Sequence, residues 1–471
     1  MAREMIRYFP YEPTADQHET IKMLVKFLAH NDPAAVFILK GYAGTGKTSL
    51  VSSLAKALDI TGNKPVLLAP TGRAAKVLAS YTGKQAHTIH RKIYRVRPGS
   101  DGSIDIALQI NQHKQTIFIV DEASMIADSL ANDQTSLFRQ TNLLDDLIRY
   151  VYSGKSCRLI LIGDTAQLPP VGSAQSPALD PDWMKNKYHL TINTCEMKDV
   201  VRQSKESGIL YNATTIRNSL LAGQAGFPKF KTNGFDDFIR LNNDTVSDQI
   251  MESFDHRNLQ ESLIICRSNK RAYLFNQHIR NRILFMEDEM NTGDLLMVVK
   301  NNYFWLKDDF ETGFIANGDM ISVKRVQRNE HVYGFKFADI EASLTDYPEA
   351  PNIEVKIMLD TLASEQAALG NQQSRSLFDA IAEDFQEVTN KSKKLTLVRG
   401  SNHYQALQVK YGYALTCHKS QGGQWRHVFI DMGYLPGQKP DSEYLRWLYT
   451  AITRATEKVF LLNFHDEFFE I

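Results

Sequence analysis

Eight residues constrain this chain more than any other stretch: Gly41-Tyr42-Ala43-Gly44-Thr45-Gly46-Lys47-Thr48. The apolar run Val36-Phe37-Ile38-Leu39 precedes them, and a helical pattern over residues 49–58 follows. A strand that runs into a glycine-rich turn opening a helix is the context a phosphate-binding loop requires. The glycines let backbone N–H groups approach phosphate oxygens, and the helix N-terminus adds the positive end of its dipole. Lys47 is placed to reach β- and γ-phosphates, and the Thr48 hydroxyl to ligate Mg²⁺.

Further apolar runs alternate with helical patterns. Residues 66–69, 117–120 and 159–162 read as buried strands, and residues 72–80 as a helix. Continuous apolar strands between helices predict a parallel sheet covered on both faces, an α/β architecture. Residues 91–110 differ. Ile93, Arg95 and Arg97 alternate before the turn Pro98-Gly99-Ser100-Asp101-Gly102, and Ile104, Ile106 and Leu108 alternate after it, which predicts an inserted β-hairpin. A second α/β unit is expected from residue 190, with strands at 263–266, 428–430 and 459–462. An insertion at 326–402 has strand-like ends and a helical stretch over 362–388. The expected division is therefore 1–189, then 190–325 with 403–471, with 326–402 inserted. A chain of 471 residues is too long for one core.

Charge excludes a protein coated in basic residues. Lys plus Arg and Asp plus Glu are both 54. Any nucleic-acid contact has to come from a local groove. Cys157, Cys195, Cys266 and Cys417 form no Cys-x-x-Cys pair and read as reduced thiols. No stretch approaches the roughly 20 apolar residues of a membrane span, and residues 1–10 hold no apolar signal core, so a cytoplasmic protein without membrane attachment is expected.

Asp121-Glu122-Ala123-Ser124 follows the strand at 117–120. A carboxylate there can hold Mg²⁺, and its neighbour can polarise an attacking water. Two acids in that place otherwise read as a helix N-terminal pair. Gly163-Asp164-Thr165-Ala166-Gln167 ends another buried strand, at the carboxyl edge where α/β sheets bind ligands. Gln167 could sense the γ-phosphate or its water there, or belong to a polar turn closed by Pro169 and Pro170.

In this order the motifs resemble those of superfamily 1 helicases of the Pif/RecD/Dda type, over most of the chain. The adenine-contacting glutamine motif resembles Pro13-Thr14-Ala15-Asp16-Gln17, and motif I is the loop through Ser49. Motif Ia resembles Ala69-Pro70-Thr71-Gly72-Arg73-Ala74-Ala75-Lys76, and a further DNA motif Ala86-His87-Thr88-Ile89-His90-Arg91. Motifs II and III are Asp121 to Ser124 and Gly163 to Gly172. Val200-Val201-Arg202-Gln203 resembles motif IV, the stretch from Tyr413 to Gly422 motif V, and Tyr449-Thr450-Ala451-Ile452-Thr453-Arg454-Ala455 motif VI.

The resemblance implies two RecA-like P-loop motor domains, with a β-hairpin insertion and a small SH3-like β insertion. ATP would lie between the motor domains on Gln17, Gly44, Thr45, Gly46, Lys47, Thr48, Ser49 and Gly422. Thr48 and Asp121 would hold Mg²⁺. Catalysis would rest on Lys47, Asp121, Glu122 and Gln167, with Arg202 and Arg454 reaching the γ-phosphate from the second domain. DNA contacts would come from Pro70, Thr71, Thr88, His90, Thr416, His418 and Lys419. Gln17 has a competing use, because Thr14-x-x-Gln17 is also a capping box. Local hydrogen bonding is the alternative for His87, His90 and His418. The cluster Asn301-Asn302-Tyr303-Phe304-Trp305 could stack bases, although core packing is the better reading for Phe304 and Trp305.

The hairpin falls where this family carries its strand-separating pin, and the 326–402 insertion where it carries a barrel over the DNA. The helical stretch departs from a plain barrel. Gln424 replaces the commoner serine or threonine after motif V. The activity expected is a monomeric, ATP-driven, 5′-to-3′ DNA helicase acting on single strands and duplex junctions. The alternatives are a motor subunit of a recombination nuclease and an ATP-gated DNA clamp. RNA is the less favoured strand.

Overall fold

The computed structural model describes residues 1–30, 32–98, 104–128, 142–201, 206–242, 244–255, 259–306, 314–347, 349–435 and 439–470. The first domain is built on β1 (Ala35–Gly41), β2 (Lys64–Ala69), β3 (Ala86–Thr88), β6 (Thr116–Val120), β7 (Arg158–Gly163) and β8 (Thr191–Met197). These six lie in the order β3-β2-β6-β7-β1-β8, and every neighbouring pair is parallel. Val36, Phe37, Ile38 and Leu39 are all fully buried, as strands covered on both faces demand. One face packs under Leu54, Leu58 and Leu24, the other under Leu147, Val151 and Met184. The expected division at 189/190 falls one strand early. Residues 191–197 pair with β1 along its whole length, so they belong to the first domain.

The hairpin of β4 (Tyr94–Pro98) and β5 (Ile104–Leu108) stands between β3 and β6 as expected, paired from Tyr94↔Leu108 to Pro98↔Ile104. Its turn, residues 99–103, lies outside the described residues.

The second domain has β9 (Phe238–Arg240), β10 (Ser262–Cys266), β16 (Ala414–Thr416), β17 (Trp425–Asp431) and β18 (Ala455–Leu462), all parallel in the order β16-β10-β17-β18-β9. Between β10 and β16 sits a closed barrel of β11 (Leu295–Val298), β12 (Met320–Val332), β13 (Phe335–Leu344), β14 (Ile353–Met358) and β15 (Leu407–Tyr411). The insertion is thus wider than residues 326–402. Its first and last strands, β11 and β15, pair with each other across more than a hundred residues of chain. The helical stretch is not a replacement for the barrel. Helices Asn371–Glu383 and Lys391–Arg399 are inserted between β14 and β15, and they set Leu377, Ile381 and Val398 against Phe335, Phe337 and Met358.

Candidate nucleotide cleft and nucleic-acid interface

The phosphate-binding loop leaves β1 and turns through Gly44 (φ 75°) and Gly46 (φ 83°), both left-handed, into helix Lys47–Ile60. Gly46 is required twice over, because a Cβ there would lie 2.3 Å from Nε2 of Gln17. Gln17 is fully buried. Its Oε1 accepts the Thr14 N–H (2.9 Å), while Nε2 donates to the Thr45 carbonyl (2.9 Å) and to the Tyr11 hydroxyl (3.4 Å). The capping box forms, since Thr14 Oγ1 accepts the Gln17 N–H in return. The same amide braces the phosphate loop from behind. Tyr11, not singled out from sequence, lines the cleft beside it.

Lys47 Nζ donates to the carbonyls of Gly41 (2.7 Å) and Tyr42 (3.0 Å) and lies 3.9 Å from Asp164. Thr45 Oγ1 donates to the Tyr42 carbonyl and stiffens the loop (2.8 Å), whereas Thr48 is exposed at the cleft. The Ser49 hydroxyl accepts from Tyr11 (3.2 Å). Asp121 ends β6, with Oδ2 accepting the Tyr81 hydroxyl (2.5 Å) and Oδ1 the Glu122 N–H (2.9 Å). Burial, helped by the charge of Glu122, raises the Asp121 pKa. Glu122 takes a left-handed backbone (φ 52°), costly for a residue with a Cβ, and this aims its carboxylate into the cleft.

The second domain closes the cleft, whose volume is about 550 Å³. Arg454 Nη1 comes to 3.6 Å from Glu122 Oε1. Its Nε donates to the Thr450 carbonyl (3.1 Å) and Nη1 also to the Gly423 carbonyl (3.4 Å), so the guanidinium is held rather than free. Gln167 lines the cleft with Oε1 buried and without a hydrogen-bond partner among the described residues. Asp164 accepts the Ala166 N–H (2.9 Å) and the Tyr449 hydroxyl (2.7 Å), and burial raises its pKa. Gly422 (φ 74°) packs so close to the first domain that a Cβ would sit 2.7 Å from that of Ala74. The Arg73 guanidinium stacks 3.9 Å above the Trp425 ring and donates to the Gln424 carbonyl (3.4 Å). Arg202 lies outside the described residues. The neighbouring Val201 N–H donates to the Gly44 carbonyl (3.0 Å).

The residues assigned to DNA fall into two groups at the carboxyl ends of strands at one side of each sheet. Pro70 and Thr71 follow β2, the strand next to the edge, while Thr88 ends the edge strand β3 and His90 follows it; Thr416 ends the edge strand β16, and His418 and Lys419 follow it. Thr71 and Thr88 are N-caps, accepting the N–H groups of Ala74 and Arg91 (each 3.2 Å). His90 rests on the Tyr94 ring (5.7 Å), and burial lowers its pKa to about 4, so it is neutral near pH 7. His418 is exposed. The Lys419 ammonium is buried without a hydrogen-bond partner among the described residues, and burial lowers its pKa to about 8. The barrel reaches the first group. Arg91 donates to Asp319 (3.2 Å) and to the Phe314 carbonyl (3.1 Å), and it lies 4.2 Å over the Tyr347 ring. Burial pushes the Asp319 pKa up to about 7. The cluster at 301–305 is built into the barrel. Tyr303 stacks on Phe314 (4.6 Å), and Trp305 Nε1 donates to the Gln405 carbonyl (2.7 Å).

Comparison with known proteins matches residues 14–219 to an AAA domain family and residues 411–462 to the UvrD-like helicase C-terminal domain. The chain is 22% identical to the uncharacterized protein R530 of Acanthamoeba polyphaga mimivirus, covering 94% of this chain and 98% of that one. It is 26% identical to the ATP-dependent DNA helicase dda of Enterobacteria phage T4 over 55% of each. It is 30% identical to the ATP-dependent RecD2 DNA helicase of Deinococcus radiodurans over 40% of this chain and 22% of that one. The chain therefore spans about half of the phage protein and under a quarter of the bacterial one. Together with the two parallel sheets facing one cleft, these matches support a superfamily 1 helicase of the Pif/RecD/Dda type.

Proposed function

We propose that this protein is an ATP-driven DNA helicase that translocates 5′ to 3′ on single-stranded DNA and opens duplex at single-strand junctions as a monomeric cytoplasmic motor. One observation carries the reading: Arg454 of the second domain reaches Glu122 in the cleft that Lys47 lines. Lys47 supplies counter-charge to the β- and γ-phosphates, Glu122 polarises the attacking water, and Arg454 stabilises the charge that develops on the γ-phosphoryl group. Gln167 orients the water, and Arg202 joins Arg454. Gln17 acts on the nucleotide indirectly, by bracing Thr45 of the phosphate loop and Tyr11, which lines the cleft.

Hard oxygen donors suit Mg²⁺, which uses few protein ligands and completes its shell with water and substrate phosphates. The Thr48 hydroxyl and the Asp121 carboxylate are such a pair. The ion would neutralise charge on the phosphate oxygens they face.

Nucleotide-driven closure would move the group at Pro70, Thr71, Thr88 and His90 relative to the group at Thr416, His418 and Lys419, because each is fixed to its own sheet. Partial duplexes with 5′ or 3′ tails, in DNA and RNA, test the reading. Unwinding of the 5′-tailed DNA alone is expected. Hydrolysis without unwinding would favour a clamp, and activity only with added partners a subunit of a nuclease. Single-strand binding should weaken with salt at a log–log slope of about −0.7 per phosphate neutralised.

A further inference from the structure

Helix Ser442–Ile452 presents Arg446, Tyr449 and Thr450, spaced i, i+3, i+4, on one face. That face grips the loop after β7. Thr450 Oγ1 accepts the Leu168 N–H (2.8 Å), and Arg446 Nη1 donates to the carbonyls of Thr165 and Gln167. Tyr449 goes further, and it is buried with 1% exposure. Its hydroxyl accepts the Ala43 N–H of the phosphate loop (2.8 Å), and its proton goes to Asp164 Oδ2 (2.7 Å). The backbone amide can only donate, so the direction of both bonds is set. Asp164 in turn stands 3.9 Å from the Lys47 ammonium.

One phenol thus joins the second domain, the phosphate loop and the resting counter-ion of Lys47. Phenylalanine would fill the same space, so packing alone does not require the hydroxyl. The helix that carries Tyr449 also ends two residues before Arg454. Seating this helix therefore sets the phosphate loop and the arginine together.

We infer that Tyr449 is a positioning residue: through its hydroxyl it fixes Ala43 and Asp164, and so aligns Lys47 for turnover only when the second domain is seated. The inference rests on reading the cleft as an ATPase site. Burying the hydroxyl in a hydrogen bond to a carboxylate makes its removal costly, because Asp164 is left buried and short of a donor.

The test is steady-state hydrolysis by the full-length Tyr449→Phe protein with saturating single-stranded DNA, across ATP concentrations, with thermal melting as the check on folding. A fall in kcat on the order of tenfold is expected, the size of one lost hydrogen bond to a charged group. KM for ATP should stay within about twofold, since uniform loss of binding would raise it instead. Asp164→Asn should show the same split, and the double variant should be no worse than the worse single one. Wild-type kcat in Tyr449→Phe, a rise in KM matching the loss in kcat, or additive losses would each overturn the inference. If Tyr449→Phe fails to fold, Asp164→Asn carries the test alone, and wild-type kcat there overturns it. Failure of the ATPase reading would look different: the unmodified protein would show no DNA-stimulated hydrolysis.

Discussion

Glu122 follows β6 of the first sheet and Arg454 precedes β18 of the second, 332 positions on in the chain, yet their side chains approach to 3.6 Å. Only 4% of the Arg454 side chain and 21% of the Glu122 side chain is exposed, so the pair sits in a region where charge is weakly screened. Removing the arginine should act on the developing charge of the γ-phosphoryl group more than on bound ATP. Arg454→Ala is expected to lower kcat by a factor on the order of 10³ or more with a smaller change in ATP affinity. Arg454→Lys should not restore it, because a point ammonium lacks the planar fork. Single-turnover hydrolysis beside nucleotide-binding titration separates the two, and equal losses would reassign Arg454 to folding or binding.

Lys47→Ala and Glu122→Gln should fail differently. The first removes the phosphate counter-charge, so hydrolysis should vanish together with tight nucleotide binding. The second keeps shape and hydrogen bonding but loses the base, so ATP should bind and persist. Near-normal turnover in either would move the catalytic site elsewhere.

DNA binding should be sensitive to pH through Lys419. Its ammonium has a pKa of about 8 in the free protein because burial disfavours the charge. A docked phosphate would favour the charged form and raise that pKa. Below about pH 8 the lysine already carries its proton, so affinity should be flat. Above it, binding must take up a proton, and affinity should fall as pH rises. Lys410, buried nearby and also near 8, is already held by the Thr361 and Ser364 carbonyls and is not expected to contribute. Calorimetry in buffers of different ionisation enthalpy measures the uptake. Lys419→Arg, charged throughout, should reduce it, and unchanged uptake would exclude Lys419 as a phosphate ligand.

The hairpin of β4 and β5 should matter for duplex separation and not for hydrolysis. Tyr94 must be kept in any deletion, since its hydroxyl donates to buried Asp146 (2.8 Å) and anchors the hairpin base. Replacing residues 96–106 with a Gly-Ser linker should leave DNA-stimulated hydrolysis and single-strand translocation largely intact while unwinding falls sharply. An unimpaired unwinding rate would make the hairpin mechanically idle.

Gly46→Ala should destabilise the protein and lower nucleotide affinity together. The left-handed backbone resists a Cβ, and the added methyl would push on Gln17 and Tyr11, which brace the loop. Melting temperature and ATP titration report the two losses, and a stable, tight-binding Gly46→Ala would show the brace to be dispensable.

The motif loops were legible because their information is local. Gly44, Gly46 and Lys47 depend on backbone conformation within a few residues, and the apolar runs of β1, β6 and β7 are buried on both faces whatever else the chain does. The capping box of Thr14 and Gln17 was legible for the same reason, although its second use, bracing Thr45, was not. The domain edge was misplaced because β8, with residues such as Asn193 and Glu196, lacks the continuous apolar run of a central strand. It lies at the sheet edge, where one side needs no strand partner. The barrel was drawn too narrow because β11 and β15 acquire their meaning only by pairing with each other.

By itself the amino-acid sequence determined which groups can do chemistry and which strands carry them, since turn geometry, capping and burial period are short-range properties. Only the tertiary structure decided which of those groups meet. Tyr449 with Ala43 and Asp164, Arg73 with Trp425, Arg91 with Asp319 and Arg454 with Glu122 all join segments far apart in the chain. No local pattern encodes such pairs, because they are set by how whole sheets and the barrel pack, and that packing is a sum over the entire core.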